Sequence, residues 1–202
     1  MKIYLGKSNG QEIYEDISKV KNICLIGGPG SGKTTYIKRL IYELIDKHSI
    51  DELRIMVHDS KKFDYYAIRN SRYLLNMISN DHTMELLRDN FDMLKKIHDE
   101  RMNSKIEQPA ILVFIDDFSL LNLSLCVSNY DIIVMMKHSS ETNIHFIIAS
   151  QSTEYIDENV LSACETQILY QFNSDCPALG EGKSGDAILL FNKKIKQIHQ
   201  EP

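Results

Sequence analysis

The chain has 202 residues, with 23 Lys and Arg against 28 Asp and Glu, a net charge of −5, and 43% apolar residues. A chain of this size and composition can bury a hydrophobic core without disulfide or metal staples, and its acidic balance excludes a protein that grips nucleic acid along a broad basic face. Any nucleic-acid contact must be local, at Lys61-Lys62, Lys95-Lys96 or Lys193-Lys194-x-Lys196, and each of these spots also reads as ordinary solvated surface.

In chain order, Lys2 to Gly6 and Gln11 to Tyr14 read as two short strands joined by the polar turn Lys7-Ser8-Asn9-Gly10, a hairpin lead-in over residues 1–20. Ile23-Cys24-Leu25-Ile26 is a short apolar strand, and Tyr36 to Ile45 is an amphipathic helix. Between them Gly27-Gly28-Pro29-Gly30-Ser31-Gly32-Lys33-Thr34-Thr35 fills the pattern G-x-x-x-x-G-K-[ST] in the strand, loop, helix order that a phosphate loop requires. Glycines let backbone N–H groups turn inward around β- and γ-phosphates, and the helix N-terminus adds partial positive charge. These nine residues are the candidate nucleotide-binding segment, with Lys33 reaching the terminal phosphates and the Thr34 hydroxyl helping to hold Mg²⁺. A glycine-rich turn that only reverses the chain has no need of Lys-Thr directly behind its last glycine.

Leu53 to His58 reads as the next strand, ending at Asp59, and residues 81–104 as a long helix with Leu86, Leu87, Phe91, Leu94 and Ile97 at helical spacing. After Pro109, Ala110-Ile111-Leu112-Val113-Phe114-Ile115 is an almost wholly apolar run, as expected of a central parallel strand covered on both faces. Asp116-Asp117 follows it directly. Behind an apolar strand and downstream of a phosphate loop, an acidic pair suits hydrolysis: Asp116 holding the Mg²⁺ shell, Asp117 orienting or deprotonating the attacking water. The plainer reading of the aspartates is a helix N-cap before Phe118. A helix is expected near 126–139, then a strand Asn143 to Ser150 that ends at Gln151. That amide can sense the γ-phosphate or the attacking water, or be a loop glutamine. Strands at Gln167 to Phe172, Ala187 to Phe191 and Lys194 to His199 complete the chain.

The alternation predicts an α/β fold with a mostly parallel central sheet, right-handed crossovers and helices on both faces, and ligands at the carboxyl ends of the strands. All nine glycines lie between Gly6 and Gly32 or between Gly180 and Gly185, so no glycine-rich linker divides the middle, and one domain over 1–202 is expected. Cys24, Cys126, Cys164 and Cys176 are scattered and read as buried thiols. The absence of a long apolar run and of a signal pattern predicts a cytoplasmic protein without a membrane segment.

The ordered set of motifs resembles the motor domain of the FtsK/SpoIIIE family, ring-forming ATPases that pump double-stranded DNA. The likeness runs over nearly the whole chain: the lead-in Leu5 to Ile17; Ile50 to Lys61, similar to a "pdelrlxxIDPK" segment with serine for proline; Asp99-Glu100-Arg101-Met102; Asn143 to Gln151, similar to "GIHLxxATQ"; and Leu179 to Leu190, similar to "LLGxGDMLY" with an insertion. The resemblance implies a RecA-like P-loop NTPase that uses ATP and Mg²⁺. It gives Lys33, Thr34, Asp116 and Gln151 the roles above, and implies a stand-alone motor of mobile-element or phage type, assembled as a ring, expected to be a hexamer, with a recruiting element or phage protein as a further partner. It places the region after Asp59 at the ring interior or a neighbour, with Lys61 and Lys62 as the local DNA contact.

Two departures stand out. Asp117 replaces the family's glutamate, one methylene shorter. The six arginines, Arg39, Arg54, Arg69, Arg72, Arg88 and Arg101, all lie in the first half, so a finger supplied to a neighbour's site is Arg101, Lys137 or Lys183, or is absent. A type VII secretion module of the EccC/EssC kind, binding ATP and recruiting a protein substrate, is the alternative; Asp59-Ser60-Lys61 favours the DNA pump. A small-molecule nucleotide kinase would want an arginine-rich lid in the second half, which has no arginine.

Overall fold

The computed structural model describes residues 1–59, 61, 63–76, 78, 84–104, 108–119, 127–170 and 184–200. Nine strands are found among them: β1 (Lys2–Ser8), β2 (Gln11–Asp16), β3 (Ile23–Ile26), β4 (Leu53–Asp59), β5 (Ala110–Asp116), β6 (Ile144–Ser150), β7 (Thr166–Tyr170), β8 (Asp186–Phe191) and β9 (Lys194–His199). The helices are α1 (Ile17–Val20), α2 (Lys33–Lys47), α3 (Met84–Met102), α4 (Asn129–Lys137), α5 (Ser139–Thr142) and α6 (Glu158–Ser162).

The strands form one sheet in the order β2-β1-β9-β8-β7-β3-β6-β5-β4. From β7 to β4 every neighbouring pair is parallel. From β7 outward through β8, β9, β1 and β2 every pair is antiparallel. The expected parallel sheet is therefore the half that carries the phosphate loop, and the two terminal hairpins extend it. β6 inserts between β3 and β5, so the phosphate-loop strand and the strand that ends at Asp116 are separated by the strand that Gln151 follows.

Alternation along the buried strands divides the core between the two faces of the sheet. Leu112 and Phe114 of β5 join Ile147 and Ala149 of β6 and the α2 stripe Tyr36, Ile37, Leu40, Ile41 and Leu44 on one face. Ile111, Val113 and Ile115, with Phe146 and Ile148, meet Leu87, Phe91 and Leu94 of α3 and Ile132, Met135 and Met136 of α4 on the other. Period-2 strands between period-3.6 helices require this arrangement. Cys24 and Cys164 are buried free thiols; Cys126 and Cys176 lie outside the described residues.

A buried amide fixes the start of the phosphate-loop strand. Asn22 is 1% exposed. Its Nδ2 donates to the carbonyls of Met136 (2.9 Å) and Ala163 (3.1 Å), and its Oδ1 accepts from Phe146 N (3.0 Å). One side chain thus ties β3 to the ends of α4 and α6 and to β6.

Candidate nucleotide site

β3 hands the chain to the phosphate loop at Gly27, whose N–H donates to Ser150 O at 3.1 Å, so the loop starts hydrogen-bonded to the end of β6. Gly30 and Gly32 adopt positive φ (74° and 107°), which reverses the chain into α2 at little steric cost. Gly32 is the N-cap of α2 and has no side chain to cap that end, which leaves the first-turn N–H groups for the loop's concavity. Lys33 folds over this concavity. Its Nζ donates to Gly27 O, to Gly28 O (3.0 Å) and to Ser31 Oγ (3.3 Å). Burial pushes the Lys33 ammonium down to about 8, with Asp116 opposing and Lys61 adding to the effect.

The loop is also braced from behind. Gly185 N donates to Ser31 O (3.0 Å) and Ser184 Oγ donates to Gly30 O (3.0 Å). Gly185 has φ of 91°, and a Cβ there would collide with Gln200 O. The late glycine turn, part of which lies outside the described residues, is thereby bonded to the phosphate loop across more than 150 positions of sequence.

In the register of β4, β5 and β6, Asp59 stands beside Asp116, and Asp116 beside Ala149. Asp116 is 4% exposed. Its Oδ2 accepts from Thr34 Oγ1 (2.8 Å) and from Tyr65 Oη (3.0 Å). Burial raises the Asp116 carboxyl above its ordinary value, while Thr34, Tyr65 and Lys61 pull the other way. Asp117 adopts φ of 76°, a left-handed conformation costly for most residues and tolerated by aspartate. Its carboxylate accepts from Ser119 Oγ and from Gln151 Nε2 (3.1 Å).

A cleft of about 320 Å³ gathers these groups: Pro29 to Thr35 on one side, Asp116 and Asp117 on another, with Ser150, Gln151, Ser184 and Lys61 at its rim. The residues suit a nucleotide and a hard divalent cation. Uncapped helical N–H groups and a lysine meet phosphate oxygens, while a hydroxyl and a carboxylate, already 2.8 Å apart, are the oxygen donors such a cation takes.

Lys61 is exposed but belongs to this cleft, beside the phosphate loop; Lys62 and Lys183 lie outside the described residues. Arg101 is 8% exposed, and its guanidinium donates to Thr142 O (2.8 Å) and Asn143 O (3.4 Å) of its own chain. These bonds hold it to the corner between α5 and β6. Lys137 is exposed at the end of α4. Tyr65 reaches the site only through Asp116, a contact 51 positions apart that leaves no mark in the sequence, whereas Asp59 and Ser184 lie in segments that the family resemblance singles out without giving them a role at the nucleotide.

This fold and site define a phosphate-loop ATPase domain of the FtsK-like kind. The chain belongs to the poxvirus A32 protein family, whose model matches residues 14–175. It is 26% identical over 170 residues to the DNA translocase FtsK of Borreliella burgdorferi, an alignment covering 73% of this chain and 22% of that one; it therefore spans about a fifth of the length of this relative. Among solved structures it is similar to EssC (ATPases 2 and 3) from Geobacillus thermodenitrificans, with a TM-score of 0.82 at 14% identity over 98% of this chain and 43% of that one. It also resembles the pCW3 conjugation coupling protein TcpA, solved with ATPγS, with a TM-score of 0.76 at 15% identity over 98% of this chain and 65% of that one. No helix among the described residues is long and apolar enough to cross a membrane.

Proposed function

We propose that the chain binds ATP with Mg²⁺ in this cleft, hydrolyses it, and uses the cycle to move double-stranded DNA as part of a ring of copies. The observation that carries the reading is the joining of Thr34 to Asp116 and of Gln151 to Asp117 at the mouth of one phosphate loop. The loop N–H groups and Lys33 bind the β- and γ-phosphates. Thr34 and Asp116 hold the Mg²⁺, which would supply neutralisation of phosphate charge. Asp117, oriented by Gln151, accepts a proton from a water attacking the γ-phosphorus as the bond to the bridging oxygen breaks and ADP leaves. DNA as cargo is supported by the sequence relative named a DNA translocase. The likeness to EssC, at 14% identity, carries fold alone. A ring needs only a few phosphate contacts, so a net charge of −5 is compatible with weak, salt-sensitive DNA binding by one copy.

The test is the ATP hydrolysis rate with and without linear double-stranded DNA, in the parent chain and in Lys33→Ala. The expected result is DNA stimulation in the parent and loss of nucleotide affinity by about tenfold or more in the variant, since a charge-assisted contact to phosphate is removed. Nucleotide binding with no response to DNA would overturn the DNA reading and leave protein cargo.

A further inference from the structure

Asp116 is held from two directions, and only one of them is the phosphate loop. Tyr65, 2% exposed, donates its hydroxyl to the same Oδ2 that accepts from Thr34. Tyr65 follows β4 on the segment that ends in the turn Tyr66–Ile68. The base of this segment is closed by Asp59, whose carboxylate accepts from Lys61 N (3.1 Å) and Tyr65 N (3.3 Å). Its middle is pinned to α2 by the Lys38–Asp64 ion pair at 2.9 Å, with the Lys38 ammonium 5.8 Å from the Tyr65 ring centroid. The flanking side chains point the other way. Phe63 is 79% and Tyr66 59% exposed, and the Arg69 guanidinium lies 3.2 Å from the Tyr66 ring centroid.

We propose that Tyr65 is a positioning residue that couples occupancy of the nucleotide site to the posture of the outward-facing side chains of Phe63 and Tyr66. A carboxylate oxygen has room for about two strong donors, and Oδ2 of Asp116 already has two. A ligand that draws on this oxygen competes with the phenol. The segment then gains or loses the bond from Tyr65 to Asp116 according to what the cleft holds. Asp59 and the Lys38–Asp64 pair keep the segment attached meanwhile, so the response is a shift of a tethered element, of the kind a bistable contact produces. The coupling rests on nucleotide binding at the phosphate loop, and it gives that binding an outlet at the surface.

The sequence contains no tryptophan, so Phe63→Trp installs a single fluorescent reporter on the exposed side of this segment. The Phe63→Trp chain is titrated with ATPγS and Mg²⁺, and nucleotide binding is measured separately by equilibrium dialysis. The expected result is a saturable change in tryptophan emission that tracks binding. In Phe63→Trp/Tyr65→Phe, which keeps the ring and loses only the hydroxyl, nucleotide still binds within about threefold while the emission change falls at least fivefold. An undiminished emission change in the double variant overturns the coupling. If Tyr65→Phe fails to fold, hydrogen exchange on the unaltered chain decides: amides of 63–69 must change protection when ATPγS binds, and unchanged protection at saturation overturns the proposal. If the dialysis shows no nucleotide bound to the Phe63→Trp parent or the unaltered chain, the proposed function fails first and the coupling falls with it.

Discussion

His145 makes the fold sensitive to mild acid. It lies in β6, 2% exposed, with Nδ1 at 3.1 Å from the Lys21 carbonyl and Nε2 at 3.2 Å from Asn143 Oδ1. A neutral ring donates to only one of these acceptors, so part of its bonding favours the imidazolium. Burial outweighs that and pushes His145 from 6.5 down to about 4. Between those values the unfolded chain takes up a proton that the folded chain does not, so stability is fully present above pH 6.5 and is lost as pH falls toward 4. From pH 7.5 to pH 5.0 the loss from this one ring is about 2 kcal/mol. The assay is urea unfolding of the parent chain and His145→Gln at both pH values. Glutamine retains polar groups and does not titrate, so the other acid-sensitive groups cancel in the difference of differences. The parent is expected to lose about 2 kcal/mol more than the variant over this interval, whatever the variant's stability at pH 7.5. Equal losses in the two proteins would mean that the two acceptors hold the ring near its unfolded value and that His145 is not the source of the acid sensitivity.

Three further outcomes follow from the same geometry. Asn22→Ala removes the acceptor of the buried Phe146 N–H and the donor to the Ala163 carbonyl, and leaves the Met136 carbonyl with the His138 N–H alone; it is expected to cost about 2–3 kcal/mol in chemical denaturation. Gly185→Ala forces a Cβ against Gln200 O and a side chain into a φ of 91°; it should loosen the brace on Ser31, lower the melting temperature and weaken nucleotide affinity together. Asp117→Asn should retain nucleotide binding while the hydrolysis rate falls by about 10²–10⁴, the usual contribution of a general base, and an unchanged rate would remove Asp117 from the chemistry.

How much of the site was legible follows from how local its chemistry is. The phosphate loop is one continuous segment whose function lies in its own backbone conformation, so Gly27 to Thr35 could be read from spacing. Asp116, Asp117 and Gln151 were legible because each lies within two residues of the end of an apolar run, and the carboxyl end of such a strand is where a parallel sheet presents ligands. Arg101 shows the limit. The confinement of the arginines to the first half leaves it a finger candidate, and only the packing of α3 against α5 reveals a guanidinium turned onto its own chain's carbonyls.

By itself, the sequence determined the elements, their alternation and the chemical character of the phosphate loop, because periodicity and local backbone chemistry act over a few residues. Tertiary structure decided which strands are neighbours: β6 between β3 and β5 brings Gln151 to Asp117, and the antiparallel extension brings Gly185 to Ser31. It also placed Tyr65 on Asp116 across 51 positions of sequence. Such contacts depend on strand order and on the burial of two opposed sheet faces, quantities of the whole chain with no local signature.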